Sequence, residues 1–160
     1  MAIITETVEI IGGETVTKSW DDGTGPIIEF KSQEQLDACL AEWQERLFLS
    51  DWIIKAELQD NPIALEGKEC SAMHDSEYSI KTSVIIIYKK AYEENRISKH
   101  AAEHSLIHEL LHLKYPMYSF AVETPQDIEF REMTHASIEQ MAKSLIMAKY
   151  NIQFSWFKNF

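Results

Sequence analysis

Cysteine is scarce in this chain: Cys39 and Cys70 are the only two. They lie far apart and form no CxxC pair, which excludes a secreted-type disulfide framework. No targeting segment is expected either. Met1-Ala2-Ile3-Ile4-Thr5-Glu6 has neither the basic start nor the long apolar stretch of a signal peptide. No apolar run approaches membrane-spanning length, so the expected compartment is the cytoplasm. Cations are few: 15 Lys and Arg stand against 26 Asp and Glu, for a formal net charge of -11. Such a chain repels phosphate backbones and anionic lipid, so neither nucleic acid nor membrane is expected as a partner. Repeats and low-complexity tracts are absent too. What remains is 160 residues of ordinary globular composition, enough for one domain with its own core.

Residues 1–31 read as an N-terminal arm. Ile10-Ile11-Gly12-Gly13 followed by Glu14-Thr15-Val16-Thr17 suggests a hairpin around a Gly-Gly turn. Asp21-Asp22-Gly23-Thr24-Gly25-Pro26 is a loop. The main domain is expected over 32–160. Ser32 and Gln35 have capping-box spacing, and Leu36, Cys39, Leu40, Trp43 and Leu47 follow at helical spacing. Cys39 in that stripe reads as a packed thiol.

Strands come next. Trp52, Ile54, Ala56 and Leu58 alternate with Ile53, Lys55 and Glu57. Asp60-Asn61-Pro62 breaks this strand. A second is expected from about Gly67 to His74, with Asp75-Ser76-Glu77 as a turn. A third spans Ile80 to Tyr88, and its run Val84-Ile85-Ile86-Ile87 suggests cover on both faces. Ser98 is placed to cap a helix that ends at Tyr115-Pro116. Thr124-Pro125 opens a long helix reaching Tyr150. The aromatic tail Phe154-Ser155-Trp156-Phe157 is expected to dock on the body. The fold class is therefore α+β, with helices packed on a small sheet of three strands or more.

One motif carries chemistry: His108-Glu109-Leu110-Leu111-His112, an HExxH sequence. Residues four apart on a helix share a face, so both imidazoles can hold one ion. Zinc accepts imidazole nitrogen and favours few ligands. Glu109, beside the first ligand, is placed to accept a proton from water as general base. His100 and His104 continue the four-residue spacing, but an α-helix drifts by about 40° per such step. His100 is therefore far round from His112, and His104, at the cleft mouth or in solvent, is expected to have no role.

A catalytic zinc site usually has three protein ligands. In the last helix Glu132, His135 and Glu139 fall on one side, continued by Ala142 and Ile146. A carboxylate within such a stripe needs a counter-charge, which favours Glu139 as third ligand, with His135 as the alternative. If Glu139 binds the metal, His135 is placed to stabilise an oxyanion, as is Tyr118. Cys70 and His74 are four apart, a spacing that on a strand puts them too far apart for one ion. They read as structural or substrate-edge residues.

This combination resembles the zincin metallopeptidases, in their compact gluzincin-like form. The segments Ile107-His108-Glu109-Leu110-Leu111-His112-Leu113 and Ile138-Glu139-Gln140-Met141-Ala142-Lys143-Ser144-Leu145 are similar to those of small metallopeptidases of bacteria and their phages. The likeness covers roughly residues 33 to 149. It implies a Zn2+ cofactor, a peptide or protein substrate and peptide-bond hydrolysis. Two departures stand out. Lys143 occupies the place where thermolysin-like enzymes carry an aspartate. The cysteine-rich ribbon and basic surface of SprT-like proteases are absent. The same motif also suits a zinc-binding regulatory protein that does not catalyse. Such likeness bears on fold more than on substrate.

Overall fold

A computed structural model describes residues 5–9, 15–19, 25–61, 63–65, 68–88, 101–116 and 124–153. The Gly12-Gly13 turn, Ser98, His100, Tyr118 and the aromatic tail lie outside the described residues. Strands β1 (Thr5–Glu9) and β2 (Thr15–Ser19) pair antiparallel, as a hairpin about that turn requires.

Helix α1 (Gln33–Arg46) begins where expected. Ser32 Oγ accepts from Gln35 N at 3.3 Å, and Gln35 Oε1 accepts from Lys31 N at 2.8 Å. One donor of the first turn is thereby satisfied, and the Gln35 side chain also ties down the residue just before the cap. Leu36, Cys39, Leu40 and Trp43 form its buried side. Cys39 and Cys70 are both free thiols. Burial pushes the Cys39 pKa up, which fits a packed thiol.

Strand β3 (Ile53–Gln59) pairs parallel with β7 (Thr82–Tyr88). Between them come β4 (Ile63–Leu65), β5 (Lys68–Cys70) and β6 (Ala72–Glu77). β4 and β5 form a separate antiparallel pair, and β6 pairs antiparallel with β7. The main sheet thus has the order β3-β7-β6. Two expectations are corrected. Asp75-Ser76-Glu77 belongs to β6, and the chain reverses at 78–81, where Lys81 adopts a left-handed φ of 52°. Among the described residues the central strand is fully covered on one face and partly exposed on the other. Ser83, Ile85 and Ile87 are buried, while Val84 between them is exposed. The run of branched residues reflects strand propensity as well as burial.

The covered face carries Ile54, Ala56 and Leu58 from β3, Ser83, Ile85 and Ile87 from β7, and Ala72, His74 and Ser76 from β6. Helix α2 (Ala102–Lys114) packs on it and is buried from Ala102 to Leu113. Helix α3 (Pro125–Tyr150) packs against α2. It opens on a complete capping box between Thr124 and Asp127 with Pro125 in the first turn, and closes on Asn151 in the left-handed region. α2 lacks a side-chain cap. Its first free donors are met instead by backbone: Ala102 N donates to Ile28 O at 2.9 Å and Glu103 N to Ile27 O at 3.1 Å. The segment before α1 is therefore built into the body, and Phe30 lies in the core.

A buried helix with polar residues must supply each with a partner. At its N-terminal end, Glu103 Oε1 accepts from Trp43 Nε1 at 2.7 Å and Lys149 Nζ at 2.8 Å. Glu103 Oε2 accepts from Tyr150 OH at 2.6 Å and Ile27 N at 3.0 Å. One carboxylate ties together α1, α2, α3 and the segment before α1.

Candidate metal centre

His108 and His112 stand one turn apart on α2, both buried. His112 Nε2 lies 3.1 Å from His108 Nε2, and His135 Nε2 on α3 lies 3.1 Å from the same atom. Ligand atoms of the three residues all fall within 4.8 Å of one another. A tetrahedral zinc site with metal–nitrogen bonds of about 2.0–2.1 Å separates its nitrogens by about 3.3–3.4 Å. Two of the three separations lie near that spacing and the third is within 4.8 Å, so this set of three imidazoles could hold a metal ion. Hydrogen bonding alone explains it less well. A neutral ring nitrogen carries one proton or one lone pair, so His108 Nε2 can form at most one good hydrogen bond with its two neighbours.

Protonation favours the same reading. Burial pushes the His112 pKa down to about 4, with Glu109 opposing and the imidazoles of His108, His74 and His135 reinforcing the shift. Burial, then His108, also lowers His135, against the pull of Glu139 and Glu109. Near neutral pH these rings are uncharged, the form that binds metal.

Glu139 stands elsewhere than expected. Its Oε2 lies 3.2 Å from His108 Nδ1, on the ring edge opposite Nε2, and 3.6 Å from His104 Nε2. Its Oε1 meets Lys143 Nζ at 2.9 Å. The counter-charge that this carboxylate needs is thus Lys143, one turn along α3. A carboxylate accepting from Nδ1–H fixes the tautomer that leaves Nε2 with its lone pair. His104 is buried, not solvated. The reason is that α2 is enclosed on all sides, so no angular position on it reaches solvent.

Glu109 points to a residue that the sequence assigned no chemistry. Its Oε2 lies 2.7 Å from His74 Nδ1 on β6. Burial works to raise the Glu109 pKa. The hydrogen bond with His74 and the imidazoles of His108, His74 and His112 together outweigh it and hold the carboxyl below its ordinary range. The ionised carboxylate only accepts, so His74 Nδ1–H donates. The His74 ring also stacks on His112, with centroids 5.1 Å apart. Further contacts join the residues flanking β6 to α2: Ser71 Oγ to Ser105 Oγ at 3.2 Å, and Tyr78 OH donating to His112 O at 3.3 Å. One signal for His74 lay in the sequence. Along Ala72-Met73-His74-Asp75-Ser76-Glu77 both acids fall on one face and His74 on the other.

Comparisons with family models, curated proteins and solved structures give no match for this chain. Function must therefore be argued from the site. No helix among the described residues is long and apolar enough to cross a membrane.

Proposed function

We propose that this protein is a zinc-dependent peptide hydrolase on a zincin-like scaffold. The observation that carries the reading is the convergence of three imidazole Nε2 atoms beside the buried Glu109, which His74 meets at 2.7 Å. His108, His112 and His135 would hold the ion, and Glu139 would orient His108 through Nδ1. A zinc ion held there would supply Lewis acidity for a scissile carbonyl and for water. Glu109 accepts a proton from the water whose oxygen attacks the carbonyl carbon. It returns that proton to the amide nitrogen as the C–N bond breaks, so one water is divided between an acid and an amine.

The sheet edge suits an extended substrate. Tyr88 N donates to Ser71 O at 2.9 Å, which makes Ser71 and Tyr88 a hydrogen-bonded pair. By antiparallel alternation, Met73, Asp75 and Glu77 turn their main-chain groups toward β7. Ala72, His74 and Ser76 turn theirs outward. Among the described residues β6 is the outer strand of its sheet. A peptide chain added there would run beside Glu109.

The test compares wild type with Glu109→Gln in zinc stoichiometry and in hydrolysis of an unstructured peptide mixture read by mass spectrometry. The expected result is equal zinc and a turnover loss of about 100-fold or more. Equal hydrolysis by both proteins would refute the role given to Glu109. A second reading, a zinc-binding regulator, predicts bound zinc with no turnover in either protein.

A further inference from the structure

We infer that His74 is a positioning residue for Glu109: it pins one carboxylate oxygen so that the other faces the reacting water. This rests on the hydrolase reading and adds a residue to it.

The geometry is specific. His74 Nδ1 and Glu109 Oε2 are 2.7 Å apart, with side chains 21% and 11% exposed. A charge-assisted bond of that length in a poorly solvated place fixes the carboxylate plane. Since Oε2 accepts from His74, Oε1 is left for the proton of water. The glutamate side chain has three rotatable bonds, and a helix position alone does not choose among their settings. His74 makes that choice from a different element. Its ring is held in turn by stacking on His112, a candidate ligand. One residue of β6 is thus keyed both to the base and to the metal cluster.

The main chain of His74 adds a coupling. Its side chain occupies the covered face of the sheet, while its own N–H and C=O face the outer edge. A peptide bound to β6 in extended form would exchange hydrogen bonds with the residue that aims Glu109. Strand register and base orientation would then be set at one position. His74 touches neither the water nor the scissile bond, and it acts only through Glu109.

The test uses the zinc-loaded full chain as wild type, His74→Leu and His74→Asn. The Asn amide nitrogen is attached at Cγ, as Nδ1 is, so it restores a donor at nearly the same place. Against the unstructured peptide mixture, His74→Leu should lose about 10- to 100-fold in kcat with little change in KM and with unchanged zinc content. His74→Asn should recover most of the loss. A Leu variant with wild-type kcat, or an Asn variant as impaired as Leu, overturns the assignment.

A second measurement needs no substrate. Nitrogen-15 NMR of the imidazoles, with His74 identified by the signals lost in His74→Asn, should show Nδ1 protonated in the metal-free and the zinc-loaded protein. The opposite tautomer, protonated at Nε2 alone, overturns the proposal because Nδ1 then cannot donate. A wild type that binds no zinc and cleaves nothing would refute the hydrolase reading, and the imidazole spectrum would still decide whether His74 holds Glu109.

Discussion

At the N-terminal end of α2, Glu103 is wholly buried and its two oxygens meet four donors: an indole, an ammonium, a phenol and a backbone amide. Two turns later, His108 and His112 are nearly as buried, yet their Nε2 atoms converge on one another and on His135. The first arrangement pairs acceptors with donors. The second gathers like nitrogens around one point. Both lie on one helix and both face α3, so burial by itself does not separate structural polarity from functional polarity. Complementarity does. A saturated network holds helices together, whereas nitrogens gathered on one ring atom can satisfy only some of their contacts by hydrogen bonding.

The comparison is broken most severely at Glu103. Glu103→Ala leaves the Lys149 ammonium with only the more exposed of its two carboxylate partners, Glu42, and removes an acceptor from Trp43 and Tyr150. A stability loss of about 3–5 kcal/mol is expected in urea unfolding of the metal-free protein. His108→Ala, by contrast, should cost the metal-free fold far less. Equal losses would mean that the histidine end is structural too.

A smaller effect separates the two candidate third ligands. Zinc at about 100 times its Kd should stabilise wild type by about 2.7 kcal/mol, read as a rise in Tm. His135→Ala should abolish most of that rise. Glu139→Gln should keep zinc bound with affinity reduced about 10- to 100-fold, as for a partner behind a ligand. The reverse order would make Glu139 the ligand and His135 the bystander.

The gentlest probe is alkali. The folded state raises Lys149, whose burial opposes the shift while Glu103 and Glu42 outweigh it, and it raises Tyr150 through burial and Glu103. Both groups therefore keep their protons longer when folded. Their contribution is complete below the ordinary values of 10.5 and 10.0 and drains as pH rises through them. Urea unfolding should show stability falling above about pH 10, and a shallower fall in Glu103→Gln. An unchanged slope in that variant would detach the alkaline loss from this network.

Much of the architecture was legible because its signals are local. The cap at Ser32, the stripe Leu36-Cys39-Leu40-Trp43, the alternation in β3 and the Thr124-Pro125 start all act within one or two turns of chain. The acidic pair Asp75 and Glu77 misled, because Asp-Ser-Glu suits a turn as well as an exposed strand face. That misplaced the end of β6 and hid His74. His104 failed for another reason. Helical angle tells which residues share a side, but not how many sides are covered.

The sequence by itself determined the helix that carries His108, Glu109 and His112, since a four-residue repeat on an α-helix needs nothing beyond its own periodicity. It also pointed to two residues on α3, Glu139 and His135, as candidates beside that pair. Only the tertiary structure decided which of them meets Nε2 of His108 and which stands behind Nδ1. That distinction depends on the rotation of α3 against α2, a matter of side-chain packing between segments distant in sequence. The partner of Glu109 was decided in the same way, by a strand whose register is set across the sheet.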